Sequence, residues 1–275
     1  MWAKALLAVL LLIMIGSALR FSPYRDRSLL ATRPSEGPHL KLLTWNIGYA
    51  DPENDSRAHI EDIRAIAKVI AEHDPDVVML QELAGQDQLQ ALVNALHHRY
   101  KGAIARFGDA DRVEAVLVKG TDAEFDNFPT ERKYSLAATF HLNGFDRPIV
   151  AISAHADAFN AARRRVFTGD LVDWANAKAR DAITVIGGDF NFELNPEKQI
   201  DFYTDNMKND SEAYSYIMKT FRDLGKDAGF TTFNDRRIDY VFGPPEAVLF
   251  RKAEVINDLN IGHMDHFPLL VEVAV

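Results

Sequence analysis

The chain contains no cysteine. That excludes disulfide staples, a thiolate metal site and a cysteine nucleophile. It also lacks an HExxH motif, which together with the missing thiols argues against zinc. Basic charge is in the minority, with 31 Lys and Arg against 40 Asp and Glu for a net charge of −9. Such a balance disfavours loose, sequence-blind binding to duplex nucleic acid, whose affinity comes largely from basic contacts with phosphate. There is no internal repeat and no low-complexity tract. The hydrophobic fraction of 47% and charged fraction of 26% are ordinary for a globular protein and exclude disorder or coiled coil over the whole chain. At 275 residues the chain can bury a core without staples.

What is present begins with an apolar leader, MWAKALLAVLLLIMIGSALR. Lys4 precedes an unbroken apolar stretch over 5–15, and Gly16 and Ala18 stand at −3 and −1 of a cut after Ala18. This is the pattern of a secretory signal peptide. An uncleaved N-terminal membrane anchor is the rival reading, although residues 5–19 span only about 22 Å of helix against a hydrocarbon core of ~30 Å. Both readings place the bulk of the chain outside the cytoplasm: periplasmic, secreted, or attached to a membrane through residues 1–20. Residues 21–39 carry three prolines and read as a linker. Residues 40–275 read as one domain, expected to be monomeric.

Within that domain, apolar residues recur at helical spacing over 56–73, 87–99, 160–179 and 211–224. Short apolar runs predict strands at 40–45, 77–80, 101–107, 113–119, 135–143, 148–154, 183–186, 237–242, 247–256 and 267–274. Strands and helices interleave without a strict β-α-β series, which predicts mixed sheets flanked by helices.

The informative residues are polar ones that the strands do not need. LLTWN ends at Asn46, VVMLQE at Glu82 and VAISAH at His155; TVIGGDFN carries Asp189 and Asn191, RRIDYVF carries Asp239, and HMDHFPLLVEV carries Asp265 and His266. Each alone has an ordinary structural reading as a turn, a cap or a satisfied histidine. Asp239 is the hardest to dismiss, because a carboxylate inside an apolar strand must find a partner. Polar strand ends can converge on one edge of a sheet, where ligands often bind.

In this order, TWN, LQE, His155, GGDFN, RIDYVF and MDHFPL resemble the endonuclease/exonuclease/phosphatase superfamily, which includes deoxyribonuclease I, abasic-site endonucleases, neutral sphingomyelinases and inositol-polyphosphate phosphatases. The likeness runs from about residue 40 to the end. Two departures are Gly48, where some abasic-site nucleases carry an acidic metal ligand, and Met264, where serine is commoner. The resemblance implies an α/β fold: a four-layer α/β/β/α sandwich of two packed mixed sheets with helices outside. It also implies magnesium-dependent hydrolysis of a phosphate ester, with manganese as a substitute.

Glu82 with Asn46 suits magnesium, which prefers carboxylate and amide oxygens plus waters, and Asp265 would reach the metal through water. His266 is the candidate general base, because imidazole titrates near neutral pH. The resemblance assigns Asp239 to orient it, Asp189 to hold the attacking water or carry a proton, and Asn191 and His155 to donate to phosphate oxygens. Nucleic acid, a phospholipid headgroup and a small phosphate ester all remain open as substrates. A non-catalytic exported binding protein on the same fold is the alternative.

Overall fold

A computed structural model describes residues 37–48, 60–105, 112–129, 134–200, 205–248, 251–257 and 264–274. Those from residue 37 onward belong to one compact unit. The leader, and all of the linker but its last three residues, lie outside the described residues.

Alternation of period two governs the central strands. In β1 (His39–Asn46), Leu40 and Leu42 face the space between two sheets, whereas Leu43 and Trp45 face the opposite way. The same alternation in β2 (Val77–Leu83) sends Val77 and Met79 inward and Val78 and Leu80 outward. The first sheet adds β3 (Tyr100–Ile104), β4 (Val113–Lys119), β11 (Arg251–Val255) and β12 (Leu269–Ala274), in the order β11-β12-β1-β2-β4-β3. The second contains β5 (Ala123–Pro129), β6 (Tyr134–Phe140), β7 (Ile149–His155), β8 (Ile183–Asp189), β9 (Arg222–Asp223) and β10 (Asp239–Gly243), in the order β5-β6-β7-β8-β10-β9. Among the described residues, β1–β2 and β7–β8 pair in parallel and the other strand pairings are antiparallel.

A helix bridges each parallel pair, as a crossover requires. Between β1 and β2 runs α1 (Ile60–His73), which with α2 (Gln86–Ala95) buries Ile63, Ile66, Ile70, Leu89 and Leu92 against the outer face of the first sheet. Between β7 and β8 runs α3 (Ala161–Lys178). It starts where the Asn160 side chain accepts the Arg163 backbone N–H, and it packs Phe167, Leu171 and Ala175 with Ile217 of α4 (Met207–Ile217) on the outer face of the second sheet. Three apolar layers therefore separate four structural ones, which is the α/β/β/α sandwich.

Local differences from the sequence reading have physical causes. α4 begins at Met207 because Asn206 caps it, and it ends at Ile217; Phe221 and Leu224, which continue the helical spacing, are buried beside β9 instead. Pro245–Val248 form a 3₁₀ turn ahead of the shorter β11. β5 has no counterpart in the apolar runs, since AEFDNFP mixes polar residues and a proline, a composition an edge strand tolerates.

The sheets approach so closely near one end that β8 carries a glycine there. A Cβ on Gly187 would stand 2.4 Å from Met79 Cε and 3.2 Å from Thr44 Cβ, both on the first sheet. Gly187→Val should therefore destabilise by roughly 1–3 kcal/mol through overpacking. Combined with Met79→Ala, it should cost less than the sum of the single changes. Urea unfolding midpoints of the four proteins measure this, and strict additivity would rule out the contact.

Candidate active site

The inward-facing rows of the central strands end in polar residues. The row through Leu40 and Leu42 ends at Asn46, the row through Ile149, Ala151 and Ser153 at His155, and the row through Ile183, Val185 and Gly187 at Asp189. Asp239 opens β10 on the same row as Val241. Sheet register aligns three of them: Asp189 stands opposite His155 on one side and Asp239 on the other. Asn46 reaches across from the first sheet, its Nδ2 donating to Asp189 Oδ2 at 3.1 Å and to Glu82 Oε1 at 3.4 Å.

Glu82 arrives by a distortion. β2 shifts register against β4 between Leu80 and Leu83, and Glu82 adopts φ 61°, a left-handed conformation unusual for a glutamate. The kink turns its carboxylate toward His155 Nε2 (3.7 Å) and Arg112 NH1 (2.8 Å). Gly48 makes room, since a Cβ there would lie 2.0 Å from Glu82 Oε2. The space that an acidic residue at position 48 would need is thus already filled by a carboxylate from β2.

His266 stands on the segment before β12. Its Nδ1 lies 2.8 Å from Asp239 Oδ2, its Nε2 3.7 Å from Asp189 Oδ2 and 4.0 Å from Asp265 Oδ1. The segment is held by Trp45 Nε1, which donates to the His266 carbonyl at 3.0 Å. Asn191 has φ 54°; its N–H donates to Asp189 Oδ1 and its side-chain amide to the Ala156 carbonyl. All eight residues singled out in the sequence therefore gather at this one edge of the sandwich.

Three contributors escaped the sequence reading. Glu114, buried in β4, places Oε1 3.8 Å from His155 Nδ1. Strict alternation would have predicted a polar interior position there only if the strand's direction across the site were known. Gln81 is fully buried between the sheets and donates to Ser153 Oγ (3.0 Å) and Thr44 Oγ1 (3.3 Å), fixing β2 just before the kink. Thr231 Oγ1 accepts from the Asp239 N–H, and its carbonyl accepts from the Phe267 N–H, tying β10 to the His266 segment. Nothing in the sequence marks Gln81 or Thr231 beyond their neighbours.

The electrostatics follow from burial among carboxylates. Burial pushes Asp189 up to about 7, helped by Asp239, while the His266 charge and the Asn46 amide oppose the rise. Burial disfavours charge on His266, but the Asp239 and Asp189 carboxylates outweigh it and raise the imidazole to about 10. Burial likewise raises Asp265, against the pull of His266. Asp189, Asp239 and His266 bring ligand-type atoms within 4.8 Å of one another, and Asp239 Oδ1 is a buried carboxylate oxygen without a hydrogen-bond partner. Glu82 and Asp265 supply carboxylate oxygens, and Asn46 an amide whose Oδ1 accepts from the Gly48 N–H; the set has no sulfur and fits a cation such as magnesium once that amide turns.

Around the edge, exposed aromatic residues are concentrated. Four large hydrophobic residues are exposed among the described ones, and three of them, Phe159, Phe230 and Phe233, lie on the loops that follow β7 and precede β10. The Phe233 N–H donates to the Asp265 carbonyl, so the backbone of this loop adjoins the site.

The sequence pattern of the Endonuclease/Exonuclease/phosphatase family matches residues 43–261. The chain belongs to this family. Among solved structures, it is similar to an endonuclease/exonuclease/phosphatase from Bacteroides vulgatus, with 18% identity over 86% of this chain and 99% of that one and a TM-score of 0.69. It is also similar to truncated TDP2 from Caenorhabditis elegans (18% identity, 86% and 98% covered, TM-score 0.64) and to the human Nocturnin catalytic domain with bound sulfate (17%, 86% and 95%, TM-score 0.62). At these identities the likeness concerns the fold. No curated protein sequence matches. Family membership implies a metal-dependent phosphoester hydrolase.

The raised pKa values set a pH dependence of stability. In metal-free protein, His266 keeps its proton to about pH 10, whereas the unfolded chain releases it near 6.5. Its contribution is complete below pH 6.5 and drains as pH rises toward 10, by at most ~1.4 kcal/mol per pH unit. Asp189, also raised, loses stability in the same direction between about 3.8 and 7. In chelator, wild-type stability should therefore fall more steeply from pH 7 to 9.5 than that of His266→Gln. Parallel curves from denaturant titrations would contradict the assignment.

Proposed function

We propose that the chain is an exported, magnesium-dependent hydrolase of phosphate esters in which His266 activates water. The observation that carries this reading is the convergence of Glu82 and Asn46 from one sheet with His155, Asp189 and His266 around the 2.8 Å Asp239–His266 contact. A binding protein without catalysis has no use for a carboxylate–imidazole pair buried beside a second carboxylate, so this geometry favours the enzyme.

The roles follow from position. Glu82 and Asn46 would hold the cation, with Asp265 joining through water. The cation, magnesium or manganese, would neutralise charge on the phosphoryl oxygens. Asp239 fixes the His266 tautomer by accepting a hydrogen bond from its Nδ1–H, which leaves Nε2 directed toward Asp189 and able to accept a proton from water held between them. His155 and Asn191 stand on the other side of Asp189, placed to donate to phosphate oxygens. With positive charge seated at Glu82, the field that keeps His266 protonated weakens, and the imidazole can act as a base nearer neutral pH.

Phe159, Phe230 and Phe233 support a substrate that carries an apolar or flat group beside its phosphate. Phospholipid headgroup esters and nucleotide esters meet that description; a bare sugar phosphate does not. The apolar leader supports delivery outside the cytoplasm, by cleavage or as an anchor.

Turnover of bis-p-nitrophenyl phosphate should need millimolar magnesium or manganese and stop in EDTA. Glu82→Gln should weaken the metal response at least tenfold. Full activity in EDTA would exclude the mechanism. A panel of sphingomyelin, plasmid DNA and inositol phosphates then separates the substrates.

If Asp239 and His266 act as a unit, removing either should cost most of what removing both costs. His266→Ala should lower kcat at least ~10²-fold with KM little changed. Asp239→Asn should also lower it strongly, and the double change should be only slightly worse than the worse single one. Normal kcat with a lowered unfolding midpoint would reduce the pair to a structural cap.

A further inference from the structure

Arg112 sits immediately before β4, and its NH1 donates to Glu82 Oε2 at 2.8 Å. Its side chain is 45% exposed while that of Glu82 is 14% exposed, so the guanidinium covers the carboxylate from the solvent side. The opposite oxygen of Glu82 faces inward, toward Asn46 and His155. Glu82, Glu114, Asp189, Asp239 and Asp265 make a strongly negative pocket. An anionic phosphate ester entering it needs positive charge beyond that of the His266 imidazolium.

A divalent cation on Glu82 and the guanidinium now on Oε2 compete for the same carboxylate. Both carry positive charge, so seating the cation weakens the Arg112–Glu82 contact. The released guanidinium stays tethered at the mouth of the site through the Arg112 backbone. It presents a planar fork of donors that matches two phosphate oxygens.

We propose that Arg112 is a metal-responsive latch: it caps Glu82 through Oε2, and it becomes a phosphate-binding residue once a cation on the inner side of the same carboxylate weakens that contact. This rests on the reading of Glu82 as a metal ligand. It predicts ordered, coupled binding, because whatever frees Arg112 from Glu82 strengthens phosphate capture, and reciprocity requires phosphate to strengthen cation binding by the same factor. Arg112 is in this view a specificity residue for the anionic part of the substrate, distinct from the acid–base pair.

The test uses chelator-stripped full-length protein, Arg112→Met and Arg112→Lys, with calorimetric titration of magnesium alone and of inorganic phosphate with and without saturating magnesium. Arg112→Met should bind magnesium ~2–5-fold tighter, since an exposed ion pair that competes for the carboxylate is gone. In the magnesium-saturated state it should bind phosphate ~10–100-fold more weakly than wild type. Without magnesium the two proteins should bind phosphate alike, and Arg112→Lys should fall between them in each titration. In turnover, KM should rise more than kcat falls. Unchanged or weaker magnesium binding by Arg112→Met overturns the proposal, as does unchanged phosphate affinity in the magnesium-saturated state. The failure of the underlying reading looks different: there, Glu82→Gln would leave magnesium affinity intact in a protein whose Arg112 is wild type.

Discussion

Two sheets packed face to face must each offer an inward row of side chains, and at the end of the sandwich those rows run out of apolar partners. The convergent polar residues of this protein sit at that point. The rows ending at Asn46, His155 and Asp189 are the same rows that form the central core four and six residues earlier. Positions in adjacent strands are fixed by backbone hydrogen bonds, so the spacing of His155, Asp189 and Asp239 is set by sheet register, with no loop involved. Across the gap, Gln81 and Ser153 tie the sheets by a buried hydrogen bond one turn of the pleat back from the edge. Gly187 lets them come close enough for Asn46 to reach Asp189.

That placement is electrostatically expensive. A buried carboxylate without compensation costs several kcal/mol, and this edge gathers several of them. The charge is met by the His266 imidazolium, by amide donors from Asn46 and the Asn191 backbone, and by Arg112 on the outer side. What remains uncompensated appears as the upward shift of Asp189 and as the unpartnered oxygen of Asp239. The left-handed backbone at Glu82 adds strain of order ~1–3 kcal/mol. A site built this way is less stable empty than loaded, and a cation would relieve both the charge and the competition for Glu82.

Much of this was legible in the sequence, because period-two alternation makes a polar residue at the end of an apolar strand conspicuous. Asn46, Glu82, His155, Asp189 and Asp239 could be read off in that way; the elements alone gave mixed sheets flanked by helices, and the four-layer architecture came from the family resemblance that these motifs carry. The helices were legible where their apolar faces are continuous, and lost where a cap overrode spacing, as at Asn206. Glu114 was not legible because it lies early in β4, and its role depends on β4 running antiparallel to β2. The kink at Glu82 was invisible for a related reason: one residue out of register is a property of a strand pair, and a single strand's composition does not encode it. Arg112 looked like any other surface arginine until β2 and β4 were placed side by side.

The loops behind the edge are held by a buried network whose purpose is not net stability. Arg164, fully buried in α3, donates to Asp210 and to the carbonyls of Asp157 and Ala158, just beyond His155. Asp205 lies 3.6 Å from Arg164 and 2.6 Å from Arg236, and Arg236, three residues before Asp239, also reaches Glu193, two residues past Asn191. Desolvation raises both Glu193 and Asp210, so these charges are held against a real penalty. Apolar residues of the same volume would often be as stable or more so. They would not, however, be directional, and an apolar plug could not dictate where the chain after β7, after β8 and before β10 must stand. Each guanidinium has fixed donor directions, so the network specifies three loop positions at once. Those three loops carry the chain into His155, Asn191 and Asp239. The polar row is therefore positioned twice, by sheet register in front and by charge pairing behind, and the exposed phenylalanines stand on the same loops.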